Sequence, residues 1–194
     1  MDKEDVFIVV HTGIKFYPFD PSPEMIDIQD IAHSLSRECR YNGHPDEHYS
    51  VAQHSVLMAE KLVDQFYLEE APPEVKMKAL LHDAAETYVG DMPGPVKEVI
   101  GGEIKKIEEK ILEVILEKYD LSTEGSLLPS SVETADKQIL KLEREYIMKD
   151  STHSWRLEDL DLHVEFEINP WSFEKSKKEF LSCFHEYQSK IKGG

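Results

Sequence analysis

Glu74-Val75-Lys76-Met77-Lys78-Ala79-Leu80-Leu81-His82-Asp83-Ala84-Ala85-Glu86-Thr87-Tyr88-Val89 follows two prolines, Pro72 and Pro73, and runs into Gly90. Val75, Ala79, Leu81, Ala85 and Tyr88 fall on mostly inward positions at helical spacing, so the stretch predicts one helix with His82 and Asp83 in its middle. Leu80-Leu81 before the pair and Ala84-Ala85 after it place two ionisable groups in an apolar, core-facing run. An uncompensated charge is costly there. A divalent metal ion would compensate it, and so would a buried carboxylate–imidazole pair; spacing alone leaves both open.

Outward from this stretch the chain reads as further helices. Asp27 to Arg37 sets Ile28, Ile31, Ala32 and Leu35 on one face, and Tyr41-Asn42-Gly43-His44-Pro45 closes it in a loop. Ser50-Val51-Ala52-Gln53 is a capping-box pattern that puts His54 in the first turn of a helix reaching about Phe66. Gly90 to Pro95 predicts a turn, and Glu103 to Tyr119 carries a core stripe of Ile104, Ile107, Ile111, Val114 and Ile115. Ser130-Ser131-Val132-Glu133 is a second capping-box pattern, opening a helix with Asp136 near its start. Ser172 caps a last helix lined by Phe173, Phe180, Phe184, Tyr187 and Ile191. Before all of these, Val6–Val10 and Ile14–Phe19 flank His11-Thr12-Gly13 as a small hairpin. Residues 150–170 are the least readable, with a weak alternation from His163 to Ile168 that fits a short strand or extended edge. The expected fold class is mainly α, a helical bundle with a small N-terminal β-hairpin, in a single domain: hairpin extension 1–20, helical core 24–149, C-terminal extension and helix 150–194.

Composition bounds the partners. A formal net charge of -17 over 194 residues argues against a nucleic-acid polymer, whose binding rests on Lys and Arg displacing phosphate counterions. A small phosphate-bearing substrate would need a local positive pocket within an acidic surface. No apolar run approaches the roughly 20 residues of a membrane span, and Met1-Asp2-Lys3-Glu4-Asp5 lacks a secretory signal, so a cytoplasmic protein without membrane association is expected. Cys39 and Cys183 are given no role, and His33, His153, His163 and His185 suit ordinary hydrogen-bonded positions.

His54, His82-Asp83 and Asp136 stand on three helices that can converge, giving an N/O ligand set suited to a hydrolytic metal centre. In this order they match the signature of the HD-domain metal-dependent phosphohydrolases, which the chain resembles. Tyr49-Ser50-Val51-Ala52-Gln53-His54-Ser55, Leu81-His82-Asp83-Ala84-Ala85-Glu86 and Gly90-Asp91-Met92-Pro93-Gly94-Pro95-Val96-Lys97 are similar to segments of the bacterial 5'-deoxynucleotidases and of the phage dATP triphosphohydrolases. The likeness spans roughly residues 10 to 150. It implies the HD helical bundle, one divalent transition metal (Zn, Co, Mn, Ni or Fe(II)) on His54, His82, Asp83 and Asp136, and possible additional Mg, Mn or Co with the substrate phosphates. Between Asp83 and Asp136 there is no histidine; dinuclear relatives carry extra histidine ligands there, so a single tightly held metal is expected.

Glu86 lies one helical turn after His82 on the same face, within reach of water or phosphate beside the metal. The matched family position implies that it is the general acid/base; otherwise it is an exposed glutamate on an acidic helix. The resemblance further implies that Asp91 contacts the sugar hydroxyl or shares in proton handling, that Lys97 faces phosphate, and that Arg40 and Tyr41 line the nucleotide site, with His44 beside them. Arg40 can fork onto phosphate or sugar oxygens and Tyr41 can stack on a base. Tyr41 stands where several relatives have tryptophan. The expected activity is hydrolysis of 2'-deoxyribonucleotides, purines such as dATP, dADP or dAMP first. The alternatives are a broad 5'-deoxynucleotidase limited to monophosphates and a non-catalytic nucleotide-binding regulator. Analogy with relatives implies a homo-oligomer, a dimer or larger.

Overall fold

The computed structural model describes residues 5–124, 126–148, 155 and 164–193. Two short strands, β1 (Ile8–Val9) and β2 (Lys15–Phe16), pair antiparallel with Ile8 opposite Phe16. The expected hairpin is present, and it docks by Phe16, whose ring stacks on Tyr88 at 3.6 Å. Every other regular element among the described residues is helical, and the protein is mainly α with a small N-terminal hairpin.

Helix α1 (Ile28–Arg37) begins where Asp27 accepts the backbone N–H of Gln29 at 2.7 Å, and it buries Ile31, Ala32 and Leu35 as its periodicity predicts. Helix α2 (Val51–Leu57) is capped by Ser50, whose Oγ accepts from the Gln53 backbone at 3.1 Å. The box is only half made. Gln53 turns its amide away, donating to Asn169 O at 2.8 Å and accepting from the Trp171 backbone N–H at 2.9 Å, which moors the segment entering the last helix. The helical path continues to Phe66 through a π turn (Met58–Leu62) and a 3-10 turn (Val63–Phe66).

The stretch expected as one helix over 74–89 is two. Helix α3 (Pro73–Leu81) ends at His82, residues 82–85 form turns, and α4 (Glu86–Val89) resumes. Across the break the backbone bonds tighten to the i−3 carbonyl, from Ala84 to Leu81, Glu86 to Asp83, Thr87 to Ala84 and Tyr88 to Ala85. His82 and Asp83 thus sit at an interruption and not in mid-helix. Gly90, at φ +81°, ends α4, and a short helix α5 (Gly94–Ile100), with Pro95 in its first turn, occupies part of the segment expected only to turn.

Helix α6 (Gly102–Lys118) buries Ile111 and Ile115 with Leu112 and Leu116, while Ile104, Ile107 and Val114 are half-buried. Helix α7 (Ser130–Tyr146) carries Asp136 as expected, but its start differs: Pro129 is the capping residue, its carbonyl accepting from Val132 and Glu133, and Ser130 already lies inside the helix. Helix α8 (Phe173–Gly193) starts with Ser172 Oγ accepting from Lys175 N–H at 3.3 Å. It packs on α1, α2 and α3 through Phe180, Phe184 and Tyr187, all buried. Phe173 faces outward instead, under the Arg37 guanidinium at 4.5 Å. Residues 164–172 form no strand, and His153 and His163 lie outside the described residues. Among the described residues no helix is long and apolar enough to cross a membrane.

Candidate metal centre

Three helices deliver the candidate ligands. His54 is one turn into α2, His82 and Asp83 occupy the break after α3, and Asp136 stands in the second turn of α7. His54 and His82 are buried. The two Nε2 atoms face each other at 3.2 Å. Asp136 Oδ1 lies 3.3 Å from His54 Nε2 and 3.8 Å from His82 Nε2, and Asp83 Oδ2 lies 3.6 and 3.0 Å from the same two atoms. Ligand atoms about 2.1 Å from one ion stand about 3.0–3.4 Å apart when adjacent, so the spacing fits a shared cation. His54, His82 and Asp136 offer atoms all within 4.8 Å of one another; Asp83 reaches both histidines but stands outside that mutual set.

The tautomers follow from what each ring touches. His54 Nδ1 is 2.7 Å from a Glu143 carboxylate oxygen and His82 Nδ1 is 2.8 Å from Ala79 O. Both partners only accept, so both Nδ1 atoms carry hydrogens and both Nε2 lone pairs turn into the cluster. Two lone pairs at 3.2 Å repel unless a proton or a metal ion lies between them. Burial disfavours a charged His82, yet Asp83 and Asp136 outweigh it and hold the imidazole well above its usual value. A field that draws a proton to that lone pair draws a divalent ion to the same place. The chemistry of the charges agrees: among the described ion pairs of Asp83, Asp136 and Glu143, the one permanent cation is the Arg40 guanidinium. The residues present can therefore hold a metal ion.

Glu143, unremarked in the sequence, is the hub behind the ligands. It is fully buried and accepts from His54, from Tyr49 OH at 2.8 Å, from Arg40 at 3.2 Å and from Tyr41 OH. Burial pushes its carboxyl up, but Arg40 and His54 prevail and bring it down to about 2. The signal was its spacing: seven residues after Asp136, it lies two turns along the same face of α7.

Arg40 also reaches Asp83, at 3.5 Å. Tyr41 therefore does not present a free hydroxyl; it points inward to Glu143, and its ring lies 5.8 Å from that of Trp155. His44 is exposed, and among the described contacts none joins its side chain to the cluster. Glu86 is buried beside the ligands, and its Oε2 has no hydrogen-bond partner among the described residues. Burial first, then Asp83 and Asp91, hold its carboxyl well above the usual range. Asp91 is half-buried after Gly90, its backbone N–H on Glu38 at 3.3 Å, and burial raises its carboxyl as well. Lys97 on α5 pairs with Glu108 at 2.6 Å. His82, Asp83, Glu86, Lys97 and Glu108 line one cleft of about 1180 Å³, ample for a small-molecule ligand.

Fold and site together define a mainly helical protein with a His/Asp cluster able to hold a metal ion, two of its residues, His82 and Asp83, lining a cleft. No family model matches the chain. It is 35% identical over 181 residues to the uncharacterized protein YfdR of Escherichia coli (strain K12), covering 93% of this chain and 94% of that one. A second relative, an uncharacterized protein of Rhodobacter capsulatus, is 35% identical over 146 residues, 70% of each chain. The chain belongs to the YfdR family.

Proposed function

We propose that this protein is a metal-dependent phosphohydrolase of the HD type that dephosphorylates 2'-deoxyribonucleotides, purine deoxynucleotides such as dATP or dAMP first. The observation that carries the reading is the pair of Nε2 lone pairs 3.2 Å apart between two carboxylates, opening on the cleft that also holds Glu86 and Lys97. His54, His82, Asp83 and Asp136 would hold one divalent transition ion, with a second ion accompanying the phosphates where Mg, Mn or Co is present. When bound, the ion supplies Lewis-acid polarisation of a phosphoryl oxygen and a more acidic water.

The chain's own residues do the rest. Lys97 meets the phosphate end, exchanging its Glu108 partner for phosphoryl oxygens. Glu86, whose carboxyl burial raises, hands a proton to the departing oxygen and takes one back from the attacking water, the general acid/base role. Arg40 and Tyr41 form the wall that meets the sugar and base, and Asp91 receives a sugar hydroxyl. With four lysine or arginine charges for every seven acidic ones across the chain, roughly, this small set supplies the local positive pocket that an anionic substrate needs.

The test is phosphate release from ribo- and deoxyribonucleoside mono- and triphosphates of the common bases, with Mn, Co, Zn, Ni and Mg in turn. Turnover of deoxynucleotides is expected, and the products from dATP separate stepwise release from a single cut to triphosphate. Nucleotide binding without turnover under every metal would replace hydrolysis by a binding role.

A further inference from the structure

A metal-dependent hydrolase needs ligands and a proton donor, but nothing in that requirement calls for Glu143. Its carboxylate is fully buried and takes four donors from separate parts of the chain. Oε1 accepts from His54 Nδ1–H at 2.7 Å and Tyr49 OH at 2.8 Å; Oε2 accepts from Arg40 at 3.2 Å and from Tyr41 OH. That fills the acceptor sites a carboxylate offers. We propose that Glu143 is a positioning residue that ties the metal ligand His54 to the Arg40–Tyr41 wall, so that ion binding and the nucleotide-facing loop are set by one buried group.

On the metal side, accepting the Nδ1–H fixes the tautomer that turns the Nε2 lone pair to the ion and raises its basicity. On the loop side, residues 40–49 need an anchor. Tyr41 and Asn42 stand at φ 58° and 52° with Gly43 at 71°, three left-handed residues in a row. A Cβ is crowded in that conformation, and for a bulky tyrosine it is an outlier. The backbone closes the loop's base, with Arg40 N–H on Tyr49 O at 2.9 Å and Val51 N–H on Glu38 O at 3.1 Å. From that closed base the side chains of Arg40, Tyr41 and Tyr49 all converge on Glu143, which offsets the strain and fixes where the guanidinium sits. Arg40 keeps a spare donor: its Nε is buried with no partner among the described residues.

The metal half of this inference stands on the geometry alone; the nucleotide half rests on the function proposed above. The experiment compares wild type with Glu143→Gln. Zinc affinity is read by competition with a chromogenic chelator, dAMP binding to the zinc-saturated proteins by calorimetry, and folding by thermal melting. The variant is expected to hold zinc about 10–100-fold more weakly and, once saturated, dAMP about tenfold more weakly. A variant that melts cooperatively and binds zinc within twofold of wild type overturns the proposal. Should the variant not fold, nitrogen NMR of the zinc-loaded wild type decides: a protonated Nδ1 on His54 supports the proposal, and zinc on Nδ1 overturns it. Wild type that holds no zinc overturns the metal centre and this inference together. Weakened zinc binding by the variant, without nucleotide turnover by wild type, supports the metal half of the inference and overturns the deoxynucleotide reading together with the nucleotide half.

Discussion

Replacing Arg40 by methionine keeps the unbranched stem of the side chain and removes the guanidinium charge that faces Glu143. The guanidinium is 11% exposed and the carboxylate not at all, so the loss strands a buried anion with only Tyr41, Tyr49 and His54 as donors. The magnitude follows from titration. Glu143 is drawn from an ordinary value of 4.5 to about 2; at 1.36 kcal/mol per unit this is about 3 kcal/mol of stability. Breaking a buried ion pair from one side costs about 3–5 kcal/mol, in agreement. Because the folded value is depressed, the contribution is complete above pH 4.5 and is lost as pH falls toward 2. In Arg40→Met the Glu143 carboxyl returns toward its ordinary range, so the variant lacks that acid-side loss. Urea unfolding of the metal-free proteins, followed by circular dichroism, should show a gap of about 3 kcal/mol at pH 7 that narrows as the pH is lowered from 5 to 3. A gap that stays constant over that window, or one below about 1 kcal/mol at pH 7, would refute the reasoning.

Glu86→Gln should lower kcat by about 10²–10⁴-fold while elemental analysis finds the metal content unchanged. Since burial, Asp83 and Asp91 raise this carboxyl, the acid form persists above the ordinary carboxylate range and is lost as pH rises through the raised value; the pH–rate profile of wild type should fall on the alkaline side of that value, and the variant should lack that limb. Gly101→Ala would put a methyl 2.2 Å from the carbonyl oxygen of Lys97 and 2.9 Å from its Cγ. The backbone must shift, so the melting temperature should drop by an amount matching about 1–3 kcal/mol, and steady-state kinetics should show KM rising more than kcat falls as Lys97 moves.

Local signals were legible in the sequence where local bonds decide the structure. Ser50 and Ser172 accept at the starts of their helices as their types and positions predict, and the apolar stripes of α1, α6 and α8 bury nearly as expected. Ser130 failed for a local reason too: Pro129, extended at ψ 148°, already supplies the first accepting carbonyl, which moves the serine inside the helix. The break at 82–85 was not legible, since its tightened bonds go with the placement of His82 and Asp83 against residues far along the chain. Glu143 was harder still. On an acidic chain one more helical glutamate looks like a solvated face, and only its two-turn offset from Asp136 distinguishes it. Phe173 misled because its position fits the apolar stripe, while the Arg37 guanidinium gives it a partner at the surface.

The central proposal is one divalent ion shared by His54, His82, Asp83 and Asp136. Elemental analysis of protein purified without added metal, beside Asp136→Ala prepared identically, tests it most directly. The account predicts close to one transition-metal ion per chain in wild type and its loss in the variant. Wild type without a stoichiometric ion, or a variant that retains the same content, would contradict it.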